Sequence, residues 1–340
     1  VTKNNFGSIV TVKLPEIKLD YTFFSRLKTA WFLSKNDFKS MIRNWTFIVI
    51  MLLALFMVWA VTSFDNQMMG TEIYPVTWQM LKTAGSIYSF FLFILIFLFA
   101  GILVQRAQTA NMKLMLDATA IPNWTLLLSK ALALLKLTLL VLLISMMSGI
   151  FYQVYKGYYN FEIGHYLYEL FVLDLLKYCI VILFSLFIHS FFKNYYIGFF
   201  ICIVLYVAIP ALSQIGVEQS IYKFNQGPGY RYSDMNGYGD VRNYIWYKVY
   251  WLLFSGILYG LTLLFWRRGI LSSVRERLSF AKLRAKGVIL LPMLLLFIAF
   301  VGLGYAIYYQ NNVVDKYTSA KESEEQSVFY EKKYKKYGKH

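Results

Sequence analysis

Charged side chains are scarce in this sequence of 340 residues: 15% are Asp, Glu, Lys or Arg, against 58% hydrophobic. Soluble domains average about 25% charged and 45–50% apolar, so water is not this chain's only solvent. Only two cysteines occur. Both, Cys179 and Cys202, sit inside apolar runs, which excludes a disulfide framework and a four-cysteine zinc site. Histidine is limited to His165, His189 and His340, far apart and without an HExxH pattern, so metal catalysis within the chain is not expected. A glycine-rich phosphate loop ending in Gly-Lys-Ser/Thr and a GxSxG elbow are also missing. The chain is therefore read as a non-enzyme: no catalytic residue, no metal ligand and no cofactor are assigned to it.

What is present is apolar length. Seven stretches, at 46–64, 87–105, 131–151, 173–192, 195–214, 249–266 and 288–309, approach the roughly 20 residues that a bilayer demands. The expected fold class is an all-α integral membrane protein of about seven transmembrane helices preceded by an interfacial amphipathic helix. Its parts are a linker (1–20), the interfacial helix (21–44), a block of six spans (45–266), a basic loop (267–287), a seventh span (288–309) and a polar tail (310–340). The first residue is Val1, which suggests a piece of a longer or processed polypeptide.

The net charge of +16 points to membrane flanks and anionic headgroups rather than to nucleic acid. Lys and Arg gather before the first span, after the second and after the sixth. The positive-inside rule then places the N-terminus in the cytoplasm and the tail outside. Within 21–44, Phe24, Leu27, Trp31, Phe38, Met41 and Ile42 recur at helical spacing while Lys28, Lys35, Lys39 and Arg43 share another face. That pattern predicts a helix lying in the interface, against the lipid bilayer.

Three further groups stand out. Between spans two and three, VQRAQTANMKLMLDATAIPNW is too polar to insert and predicts a cytoplasmic knob, with a short helix near Met112–Ala118 and a turn at Pro122. Between spans five and six, QGPGYRYSDMNGYGDVRNY is rich in turn formers and reads as an ordered external loop presenting Tyr230, Tyr232, Asp234, Asn236 and Tyr238. Lys136, Asp174 and Lys177 are ionisable residues inside spans, which are functional candidates by default. Lys136 can snorkel to the interface, and Asp174 and Lys177 can pair at i, i+3. In the sixth span, Gly256 and Gly260 form a small-xxx-small step open to another helix.

This order of parts resembles the half-transporter of ABC type 2 exporter permeases. Thr109, Leu114, Leu116, Pro122 and Lys130 look like the stretch that docks on the ATPase in that family. The resemblance implies a coupling loop of Arg106, Thr109, Met112, Lys113, Leu116, Asp117 and Pro122. It implies as partners an ABC ATP-binding subunit carrying ATP and Mg, and a second permease half, identical or homologous. A closer resemblance is to Bacteroidota-type permeases fused to an external aminopeptidase-N-like zinc metallopeptidase, carried by LKTAWFLSKNDFKSMIRNW, YRYSDMNGYG and YEKKYKKYG. It implies a bacterial inner-membrane location and a possible external peptidase, although peptidase activity maps onto no residue of this chain. The alternative function is a membrane anchor or scaffold for an external enzyme or an envelope-assembly complex.

Overall fold

The structure is a computed structural model describing residues 22–65, 67–68, 71–72, 74–266, 274–315 and 317–335. The expected linker at 1–20 and the basic pair Arg267 and Arg268 lie outside the described residues. Among the described residues, seven helices are long and apolar enough to cross a membrane.

Helix α1 (Phe23–Ile42) opens on Thr22, whose side chain accepts a hydrogen bond from Ser25 N, as an N-cap should. The spans are α2 (Trp45–Asp65), α3 (Thr77–Thr109), α5 (Asn123–Tyr155), α6 (Ile163–Tyr168) continuing through a π turn (Glu169–Asp174) into α7 (Leu175–Phe191), α8 (Tyr195–Ala211), α9 (Arg242–Phe265) and α11 (Gly287–Tyr309). The short α4 (Lys113–Asp117) links α3 to α5, α10 (Val274–Arg284) links α9 to α11, and α12 (Ala320–Tyr334) follows α11. A two-residue ladder, Gln67–Met68 against Thr71–Glu72, closes the turn between α2 and α3.

Alternation of seven spans puts α1, α4, the Lys193–Asn194 turn and α10 on one side, the basic face. The segments 156–162 and 212–241 and helix α12 fall on the other, the loop face. Helices α3 and α5, at 33 residues each, run about 50 Å and project beyond a bilayer core of about 30 Å.

Packing divides the spans into two groups. Helix α3 is the hub, touching α2, α5, α7 and α8, and its Leu92, Leu95, Ile96 and Phe99 are buried with Leu137 and Val141 of α5. A smaller cluster joins Ile180 of α7, Trp251 of α9 and Ile307 of α11. Helix α11 leans on α9 at the small-residue step: a Cβ on Gly256 would stand 3.2 Å from Leu296 and one on Gly260 2.6 Å from Met293. The rest of α11 is apolar and faces outward, as a lipid-bathed helix can.

Several segments depart from the sequence reading. The span expected at 173–192 begins ten residues earlier, at Ile163. The segment expected as a basic loop at 267–287 contains α10, and Arg284 donates to Trp266 O, capping α9. The expected tail at 310–340 starts as a π turn, Gln310–Val314, continuous with α11, and holds α12, whose Ser319 and Glu322 form a capping box.

Candidate functional site

Polar chemistry gathers at both ends of the bundle. On the basic face, α1 lies along the start of α5. Its small buried side chains, Ala30 and Ser34, allow close approach, and Phe23 stacks on Trp124 at 5.5 Å. Lys136 Nζ donates to Ser34 Oγ at 2.7 Å and stands 3.5 Å from the centre of the Trp31 ring. Lys35, Lys39 and Arg43 face outward. Arg106, at the end of α3, donates to Asp37 of α1 at 2.6 Å. Thr109 turns its hydroxyl back onto Arg106 O at 3.0 Å.

Beyond Thr109 the chain passes through Asn111 in the left-handed region, φ +53°, into α4. There Met112, Leu114 and Met115 are exposed, Met115 at 70%. Pro122 then starts α5. Lys113, Leu116 and Asp117 turn inward and line a cavity of about 70 Å³ with Gln105, Lys130 and His189. Gln105 Nε2 donates to Phe192 O at 3.2 Å, tying α3 to the turn before α8.

On the loop face, residues that sequence reasoning treated as two groups meet. The π turn widens the helix by one residue per turn, a distortion frequent at functional sites. Lys177 Nζ donates to Asp174 Oδ1 at 2.8 Å, and Tyr230 Oη donates to the same oxygen at 3.2 Å. Tyr238 Oη donates to Glu169 Oε2 at 3.0 Å. His165 Nε2 lies 3.3 Å from that carboxylate without hydrogen-bond geometry, while its Nδ1 reaches Glu162 at 3.2 Å. Tyr232 packs on the His165 ring at 3.8 Å between centres. From α9, Tyr244 donates to Leu173 O at 3.0 Å, and Lys248 donates to Asn225 O at 2.7 Å.

Burial, followed by the charges of Asp174 and Glu169, raises the Tyr230 hydroxyl well above the ordinary phenol range. Burial and Glu169 do the same to Tyr238. These phenols are neutral donors across physiological pH. The assembly can bind or orient polar groups, and it brings two carboxylates and an ammonium together beside the tyrosine loop.

Asp234 and Asn236 do not join it. They sit in the exposed turn closed by the Ser233–Gly237 bridge. Lys136 belongs to the other face. Sequence reasoning missed Glu169, His165, Tyr244, Asn225 and Lys248. Glu169 had a signal, five residues before Asp174, that starting the span at residue 173 concealed.

The family described as ABC-2 family transporter protein matches residues 38–209, just over half of the chain. The chain belongs to this family. No individual curated protein matches it. As an ABC-2 family transporter it is a membrane permease of an ABC transporter, the transmembrane component of such a system. The match runs from the end of α1 through α8. It includes α4 and the π turn; the tyrosine loop and α9, which complete the loop-face cluster, follow it.

Proposed function

We propose that this permease is one subunit of an ATP-driven exporter in the bacterial inner membrane, with its basic face cytoplasmic and its loop face periplasmic. A separate ABC ATP-binding chain holds ATP and Mg and docks on α1 and α4, and a second permease half completes the path. One observation carries this reading: α4 stands out from the bundle with Met112, Leu114 and Met115 uncovered, while Arg106 at its root is tied to α1 through Asp37. Exposed apolar residues on a short helical knob suit a protein partner, and the ion pair lets a push on α4 reach α1 and, through Lys136, α5. On the other face, the Asp174–Lys177–Tyr230 group serves as the outer gate.

The test is purification from native membranes in mild detergent with ATP hydrolysis assayed. Recovery of a P-loop ATPase in fixed ratio is expected, reduced tenfold or more by Met115→Asp, which disturbs no buried contact. A preparation lacking any ATPase, or an association untouched by Met115→Asp and Leu114→Asp together, overturns the docking assignment. A second reading, an anchor for an external enzyme such as a zinc peptidase, draws on α12, a capped helix with Phe329 and Tyr330 exposed. Recovery of such an enzyme, lost on deleting α12, is the outcome that favours it.

A further inference from the structure

The loop-face cluster borders a groove of about 720 Å³ between the first turns of α3, the π turn and the tyrosine loop. Its charged groups differ in how far they are already satisfied. Asp174 receives Lys177 and Tyr230, and Glu169 receives Tyr238. Lys82 and Arg231 also line the groove, both exposed, and neither side chain has a hydrogen bond or ion pair to any described residue. Lys82, Lys177 and Arg231 stand in this lining against Asp174 and Glu169, a net of one positive charge with the two exposed cations unpaired, so the complementary ligand group is an anion.

The rest of the lining decides what carries that anion. Trp78 and Leu81, in the first turns of α3, and Phe90, three turns beyond Trp78 and 60% exposed, give the groove apolar surface on either side of Ser86 and Ser89. Aromatic residues at the end of a span occupy the headgroup level, where Lys82 and Arg231 also stand. A cation pair at headgroup depth beside the exposed rings of Trp78 and Phe90 matches an amphiphile with an anionic phosphate head and acyl chains. Arg231 supplies the planar fork suited to phosphate oxygens, and Lys82 a point charge.

We propose that this groove binds the phosphate headgroup of an anionic lipid between Lys82 and Arg231, with its chains along Trp78 and Phe90. The inference rests on the permease reading only in taking this face as periplasmic, and its test needs neither ATP nor a partner chain, so the two can fail separately. The full chain is placed in phosphatidylcholine nanodiscs containing a minor fraction of brominated phosphatidylglycerol or, in parallel, brominated phosphatidylcholine. Quenching of the fluorescence lost in Trp78→Phe isolates Trp78 from the other tryptophans. Quenching by the brominated glycerol lipid several-fold above that by the choline lipid is expected. It should fall to the choline level in Lys82→Gln/Arg231→Gln, persist in Lys82→Arg, and resist millimolar inorganic phosphate. Equal quenching by the two lipids, or preference retained in the double variant, overturns the proposal. Reversal by phosphate assigns the site to a soluble anion and overturns the lipid.

Discussion

Lys136 of α5 and Trp31 of α1 form a cation–ring contact at 3.5 Å, and the same ammonium donates to Ser34 at 2.7 Å. A lysine that could have snorkelled to water thus instead fastens the amphipathic helix to the bundle. A cation–π contact contributes about 0.5–2 kcal/mol and a hydrogen bond to a charged group about 1.5–3. Lys136→Met keeps most of the stem's packing and removes both. Hydrogen exchange of the α1 amides is expected to rise about tenfold or more, with α3 and α7 unaffected. Unchanged α1 protection would show that the Ala30 and Phe23–Trp124 packing alone holds the helix.

His189 makes a second crossing point. Its Nε2 donates to Phe97 O at 2.9 Å, so the proton sits on Nε2, and the ring lies against glycine on two helices. A Cβ on Gly101 would stand 2.6 Å from the ring, and one on Gly198 would press into Nδ1. Overpacking of this kind costs about 1–3 kcal/mol, so Gly198→Ala should lower the thermal midpoint in detergent by several degrees. His189→Ala in the same chain should recover part of the loss. A double-mutant cycle showing simple additivity would mean that the ring is not what Gly198 accommodates.

Hydropathy located α2, α8 and α11 to within a few residues because those helices are apolar nearly end to end. It cut α3 and α5 short by about a turn to nearly three turns at each end, because their ends carry Lys82, Arg106, Asn123 and Gln153. Two polar residues at these ends have partners across the bundle: Gln153 donates to Pro75 O at 2.9 Å and Gln105 to Phe192 O. A window of composition does not register such bonds. The Asp174–Lys177 spacing was legible as a local i, i+3 pair. Its joining to Tyr230, and that of Glu169 to Tyr238, was not, since those side chains arrive from 56 and 69 residues away through a loop whose path depends on Asn225 at φ +59° and Gly237 at +60°.

The Asp174–Lys177 pair gives a sharper test. Both side chains are largely buried, at 11% and 22% exposure, and removing one partner of such a pair costs about 3–5 kcal/mol, because the other charge is stranded. Lys177→Met is therefore expected to destabilise strongly, whereas Asp174→Leu/Lys177→Met should return most of the stability. Thermal unfolding of the two variants decides it. If the double variant is as unstable as the single, the tyrosine contacts, and not the ion pair, govern the fold there.

Tyr238 closes the loop over Glu169, and its hydroxyl, raised above the ordinary phenol range by burial and by that carboxylate, is a donor only while protonated. A group whose folded pKa lies above its unfolded value of about 10 contributes stability that is complete below pH 10 and is lost as pH climbs beyond it. Tyr238→Phe removes the hydrogen bond and leaves Glu169 short of a donor, at a cost of about 1–3 kcal/mol. The variant should therefore be less stable than the parent at pH 8, with the gap narrowing above pH 10 as the parent loses its own contribution. Unfolding midpoints measured from pH 8 to pH 11 separate this from a packing role. A gap that stays constant across that range would mean that the ring, wedged among Tyr168, Tyr230 and Tyr232, holds the loop without help from its hydroxyl.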